Sequence, residues 1–138
     1  MLDVKFSLDN IAEIGQKVAQ ILEIKSPLLL YGQMGAGKTT LSKHIIKALG
    51  CSDEVTSPTF NIMQSYSVEN RTLWHIDLYR LDNPNNIQEL GLDELNYQSL
   101  LIIEWPERLE YIFKPHLKGI LEVLDNNQRR LIVEKINE

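Results

Sequence analysis

Apolar positions along the first third of the chain follow two rhythms. Ile11, Ile14, Gly15, Val18, Ile21 and Leu22 recur at three- and four-residue steps, which places them on one face of a helix. Ser7 or Asp9 is available to cap its start, and Pro27 closes the region. Ahead of it, Val4-Lys5-Phe6-Ser7 predicts a short strand. Leu28-Leu29-Leu30-Tyr31 has no alternation at all, the mark of a strand covered on both sides. Leu41, Ile45, Ala48 and Leu49 return to the helical step, with Gly50 as the C-terminal stop signal.

Further along, a stretch from Ile62 to Val68 and another from Leu73 to Tyr79 flank the polar Glu69-Asn70-Arg71-Thr72 and predict an antiparallel hairpin. Residues 82–86 read as a polar loop, and 88–95 as helix interrupted at Gly91. Leu100-Leu101-Ile102-Ile103 is a second continuous apolar run, and it ends in Glu104. Residues 119–124 and 130–136, either side of Asp125-Asn126-Asn127-Gln128, predict a second hairpin. Strand–helix alternation at the start implies a parallel core, and the hairpins add antiparallel strands. The expected fold is α/β: a mixed parallel and antiparallel sheet flanked by helices, in one domain over residues 1–138, which the G-x-x-x-x-G-K-[ST] run at Gly32–Thr39 makes P-loop NTPase-like.

The segment between the first apolar run and the second helix carries chemistry. Gly32-Gln33-Met34-Gly35-Ala36-Gly37-Lys38-Thr39 fits G-x-x-x-x-G-K-[ST] at every position, with Thr40 following. Its glycines permit backbone angles that turn N–H groups toward phosphate, and Lys38 sets a charge against the β- and γ-phosphates. The Thr39 hydroxyl is a metal ligand in such loops, and the following helix points its positive end at the anion. The buried strand before and the amphipathic helix after are the context this motif demands. The candidate phosphate-binding residues are therefore Gly32, Met34, Gly35, Ala36, Gly37, Lys38, Thr39 and Thr40, for a nucleoside triphosphate with Mg²⁺.

Such a site also needs an acid near the metal, at the end of a neighbouring apolar strand. Glu104 stands at a strand's carboxyl end, where α/β sheets bind ligands; it is either an acid of the site or a surface acid just past the strand. Asp77 lies in the first hairpin between Ile76 and Leu78; it is either a second acid of the site or an ion-pair partner of Arg80 or another base. His44, His75 and His116 lie far apart with no H-E-x-x-H, and each is expected to be exposed or satisfied in the core.

Composition narrows the reading. With 43% hydrophobic and 24% charged residues, 138 residues suffice for one ordinary core. Fourteen basic residues against 19 acidic ones, net −5, argue against a protein that grips nucleic acid by its overall charge. One cysteine, Cys51, allows no internal disulfide, and no apolar run approaches bilayer length; a cytoplasmic protein without membrane contact is expected. The absence of N-K-x-D argues against a Ras-like GTPase. A small-molecule kinase, with its arginines and lid, and a nucleotide-dependent switch without catalysis remain as alternatives.

Taken together, Gly32 to Thr40, then Ser57-Pro58-Thr59-Phe60, His75-Ile76-Asp77-Leu78-Tyr79-Arg80-Leu81, Glu89-Leu90-Gly91-Leu92 and Glu104-Trp105-Pro106-Glu107 resemble, in order, the motifs of the TsaE (YjeE) family. The likeness runs from about Ser7 to Arg108. It implies a weak ATPase that acts with the TsaD and TsaB proteins in threonylcarbamoyl modification of a tRNA adenosine, driving turnover of that complex and meeting tRNA only through it. It implies ATP and Mg²⁺ as ligands, with Thr39 and Glu104 at the metal and Asp77 and Glu104 as catalytic acids. Residues 57–60 would form a switch-like segment, and Trp105 would pack beside the site. Ile11 stands where the family often has an adenine-side Thr, and Arg129 or Arg130 where it has a basic residue near the nucleotide.

Overall fold

The computed structural model describes residues 1–52, 55, 62–81, 84–109 and 111–137. Seven strands form one sheet: β1 (Leu2–Ser7), β2 (Leu28–Tyr31), β3 (Met63–Val68), β4 (Arg71–Asp77), β5 (Leu100–Glu104), β6 (His116–Val123) and β7 (Gln128–Ile136). Their order is β1-β7-β6-β2-β5-β4-β3. The four central strands β6, β2, β5 and β4 run parallel, and the outer pairs β1–β7, β7–β6 and β4–β3 are antiparallel. This is the mixed sheet that the continuous apolar runs and the two hairpins predict. The central runs lack polar residues because both faces are covered: Leu28, Leu29 and Leu30, and all of β5, are buried.

Helices α1 (Ile11–Ala19) and α2 (Lys38–Ala48) cover one face. Ile11, Ile14 and Val18 join Leu41, Ile45, Ile46, Leu28, Leu30, Leu73 and Ile102 in the larger core. Each such side chain contributes about 1.5–3 kcal/mol on burial. The opposite face is covered by short pieces: 3₁₀ turns at Leu78–Arg80 and Pro84–Leu90, and α3 (Leu92–Gln98). Leu29, Ile76, Ile87, Leu92, Ile103 and Phe113 form the core there.

Several boundaries differ from expectation for local reasons. The first helix stops at Ala19 rather than continuing through Leu22. Ser7 caps a 3₁₀ turn (Leu8–Asn10) by accepting from Asp9 N at 3.2 Å, and α1 itself starts without a side-chain cap. The first hairpin turns in two residues, Glu69 and Asn70, both at positive φ (48° and 67°), so Arg71 already pairs with Val68. That strand ends at Asp77, because Asp77 accepts from Tyr79 N at 3.1 Å and starts a 3₁₀ turn. Residues 84–95 hold two elements, a 3₁₀ turn and then α3, with Gly91 between them. Among the described residues no helix is long and apolar enough to cross a membrane.

Candidate functional site

The parallel register fixes the site. Leu30 of β2 pairs with Glu104 of β5, and Glu104 pairs with Asp77 of β4. Three adjacent strands therefore end side by side, and from the β2 end the chain enters the loop 32–37 and then α2. Residues 33–40, with Asp77, Tyr79, Arg80, Glu104 and Trp105, line a cleft of about 380 Å³. Gly32 sits at the loop's root, packed against the Leu121 carbonyl of β6. Every phosphate-loop residue expected from the sequence is thus at or beside one cleft, together with both acids.

Two glycines carry the loop's shape. Gly35 and Gly37 have φ of 81° and 108°, angles at which any side chain is strained. Gly37 precedes the first residue of α2, and no side chain caps that end. The positive end of the helix and its unpaired N–H groups therefore face the cleft. Met34 projects into solvent, and the Ala36 side chain is buried in the larger core. Ala36 N donates to Gln33 O at 3.1 Å, tightening the turn from within.

Lys38 is buried, and its Nζ contacts Gly32 O and lies 3.7 Å from the Trp105 ring centroid. Burial lowers its pKa from the ordinary lysine value, against the opposing pull of Glu104, Glu107 and Asp77. Trp105 reaches this position because its backbone is left-handed, φ 57°, which turns the chain off the end of β5. Its ring also packs on Tyr79, centroids 4.9 Å apart. Arg108 holds that second turn by donating to Tyr79 O at 2.9 Å and Leu78 O at 3.3 Å.

Glu104 is 1% exposed, so its carboxylate depends on partners. Thr39 Oγ1 donates to Oε1 at 2.8 Å, and His75 Nε2 contacts Oε2. Asp77, one strand over, is half-buried; burial first and the Glu104 charge second raise its pKa. Arg80 adds a weaker attraction and forms no ion pair with Asp77 among the described residues, so the ion-pair alternative for Asp77 is not what the geometry contains.

The donor set suits a hard divalent cation: one hydroxyl, one buried carboxylate and a second carboxylate beside it, all oxygen. Among the described residues no cluster of three or more His, Cys, Asp or Glu could hold a metal alone. Thr39 and Glu104 would supply part of a Mg²⁺ shell, the remainder coming from phosphate and water, as is usual for this ion.

Two residues of the site escape a reading of the sequence by motif spacing. Arg129 is buried at the start of β7; its Nε donates to Ala36 O at 2.9 Å, and Nη1 donates to Asp125 O at 2.7 Å and Gln128 O at 3.0 Å. It braces the phosphate loop from behind. Arg130 points the other way and pairs with Asp3 at 2.8 Å. The available signal was alternation: Arg129 shares a face with the buried Leu131 and Val133, an unusual place for a charge. The other is His75, which shares the face of Asp77 and lies against Glu104 rather than in a separate part of the core. His116 behaves as expected, with Nδ1 against Phe113 O at 2.9 Å. Residues 57–60, the expected switch-like segment, lie outside the described residues.

Comparison with known proteins agrees on one family. The family model described as threonylcarbamoyl adenosine biosynthesis protein TsaE matches residues 6–132. The chain is 41% identical over 125 residues to the tRNA threonylcarbamoyladenosine biosynthesis protein TsaE of Rickettsia conorii, covering 89% of this chain and 71% of that one. It is 38% identical over 138 residues to the protein of the same name from Rickettsia prowazekii, covering 99% and 94%. Among solved structures, Bacillus subtilis YdiB superposes with a TM-score of 0.73 at 25% identity, over 99% of this chain and 86% of that one.

Proposed function

The chain belongs to the TsaE family, and from that membership we propose that it is the ATP-binding, weakly hydrolysing component of the machinery that places threonylcarbamoyl on a tRNA adenosine. The observation that carries the reading is the convergence of Lys38, Thr39, Glu104 and Asp77 on one cleft at the mouth of the 32–37 loop. It acts as one cytoplasmic domain with TsaD and TsaB, touching tRNA only through that complex. The net charge of −5 fits a component that leaves the tRNA backbone to others.

Each side chain then has a task. The loop's backbone N–H groups that are not bonded within it, and the α2 terminus, receive the phosphates. Lys38 exchanges its contacts with Gly32 O and the Trp105 ring for phosphate oxygens. Thr39 and Glu104 hold the Mg²⁺, which when bound spreads the charge of the transferring phosphoryl group. Asp77 orients water beside that group. No acceptor site for a phosphoryl group is needed, which separates this reading from a small-molecule kinase.

Calorimetric titration with ATP and ADP, combined with ATPase assays alone and with TsaD, TsaB and tRNA, tests it. Lys38→Ala is expected to lose nucleotide binding, and the full mixture to hydrolyse ATP faster and modify tRNA over several turnovers. Undiminished nucleotide binding by Lys38→Ala would overturn the cleft assignment. If a hydrolysis-dead variant still supported repeated turnover, the protein would be a binding switch instead.

A further inference from the structure

His75 is fully buried, makes no part of the phosphate cradle, and still touches the carboxylate that Thr39 touches. We propose that His75 is the positioning residue for Glu104: it anchors Oε2 and so keeps Oε1 facing Thr39. The inference rests on the reading of Glu104 as the acid that holds Mg²⁺.

Three observations build it. The first is placement. His75 sits two residues before Asp77 on the same face of β4, and Asp77 pairs in register with Glu104, so the imidazole reaches Glu104 on the diagonal between neighbouring strands. The second is a division of labour between the two carboxylate oxygens. Oε1 takes the Thr39 hydroxyl at 2.8 Å, and Oε2 has Ser42 at 3.5 Å and His75. Ser42 has one hydroxyl proton, and it goes to Lys38 O at 2.8 Å. The hydrogen bond to Oε2 therefore falls to the imidazole.

The third observation is the other ring nitrogen. His75 Nδ1 is buried without a hydrogen-bond partner among the described residues. A carboxylate only accepts, so the ring presents an Nε2 proton to Oε2, and Glu104 is the one hydrogen-bond partner the imidazole has among the described residues. A histidine that merely filled space would not be set with Nε2 against the one buried carboxylate of the cleft.

The test follows the binding of a fluorescent ADP analogue in EDTA and then with rising Mg²⁺. His75→Leu removes the donor at similar volume; His75→Gln keeps an N–H at about the reach of Nε2, and His75→Asn keeps one too short to reach. With Leu or Asn, the Mg²⁺ concentration for half-maximal effect is expected to rise about 10- to 100-fold, with affinity in EDTA changed less than about twofold. Gln should restore most of the shift. Thermal melts accompany each variant, and should Leu fail to fold, the contrast between Gln and Asn decides.

An unmoved Mg²⁺ dependence in His75→Leu or Asn, an equal loss of affinity in EDTA, or no rescue by Gln would overturn the proposal. Glu104→Gln in the same titration separates the two ideas. If it shifts the Mg²⁺ dependence and the His75 variants do not, the positioning role alone fails. If Glu104→Gln shifts nothing, the reading of Glu104 fails, and the proposal with it.

Discussion

The two hairpins of this sheet look alike in sequence, each an antiparallel pair around a polar turn, yet they serve the cleft in opposite ways. The β6–β7 hairpin gives it a cation, Arg129, spent on three backbone carbonyls behind the phosphate loop. The β3–β4 hairpin gives it His75 and Asp77, which face Glu104 at the front. One hairpin holds the loop's shape, and the other arranges charge where phosphate chemistry would occur. A contribution to shape should be visible in stability and in affinity without metal; a contribution to charge should be visible in turnover and metal dependence.

The largest expected effect lies at the front. Glu104→Gln should lower Mg²⁺-dependent ATP hydrolysis by about 100-fold or more at a modest cost in stability of about 1–2 kcal/mol, since its NH2 must face one of the two donors, Thr39 Oγ1 or His75 Nε2, that the carboxylate accepts from. Assays at saturating ATP beside a thermal melt would check both halves. A large loss of stability would mean that Glu104 is structural first.

Next comes the back wall. Arg129→Met takes the donor from the Ala36 and Asp125 carbonyls, while the Gln128 carbonyl keeps Leu124 N, and should cost about 2–3 kcal/mol in denaturant unfolding. It should also weaken nucleotide binding by about tenfold in EDTA, which no metal ligand should do. Arg129→Lys should recover only part of each, because an ammonium cannot reproduce the fork of Nε and Nη1.

Asp77→Asn separates stability from chemistry more finely. Turnover should fall about tenfold, and stability near neutral pH should rise by a few tenths of a kcal/mol, discounted for partial exposure. The sign follows from the raised pKa. Ionised Asp77 opposes folding, so the variant's advantage is full above its folded pKa and vanishes as pH falls below the ordinary carboxylate value. Unfolding at several pH values would reveal it, and a reversed slope would contradict the burial of this acid.

The smallest effects are at the turns. Asp125 Oδ1 accepts from Asn127 N at 2.9 Å and Gln128 N at 2.8 Å, and the Asp125 carbonyl is also an Arg129 acceptor. Asp125→Ala should cost about 1 kcal/mol and slightly weaken nucleotide binding. Asn70→Gly, in a turn already at positive φ, should gain up to about 0.5 kcal/mol and leave nucleotide binding untouched.

What the sequence revealed divides along the same line. Continuous apolar runs named β2 and β5, and the glycine pattern named the loop between β2 and α2, because these features depend on local rules. Asp77 and Glu104 could be marked individually. Their pairing could not, since parallel register is a property of strands far apart in the chain. Arg129 could be named only as one of a pair, Arg129 or Arg130, by family resemblance: with the strand begun at 130, its inward-facing position is lost. His75 was obscured by chemistry, because a lone histidine among apolar neighbours reads as core until its partner is located.

The pairing of Leu30 with Glu104 and of Glu104 with Asp77 has a metrical consequence. Neighbouring strands in any sheet lie about 4.8 Å apart. Leu30 near the end of β2, the first acid and the second acid therefore stand on a ruler with a fixed step, roughly 10 Å from end to end. Backbone ladders set that span, and no side-chain exchange at these positions can stretch it. Substitution can retune what each mark on the ruler does, but a ligand of different length would call for a different sheet.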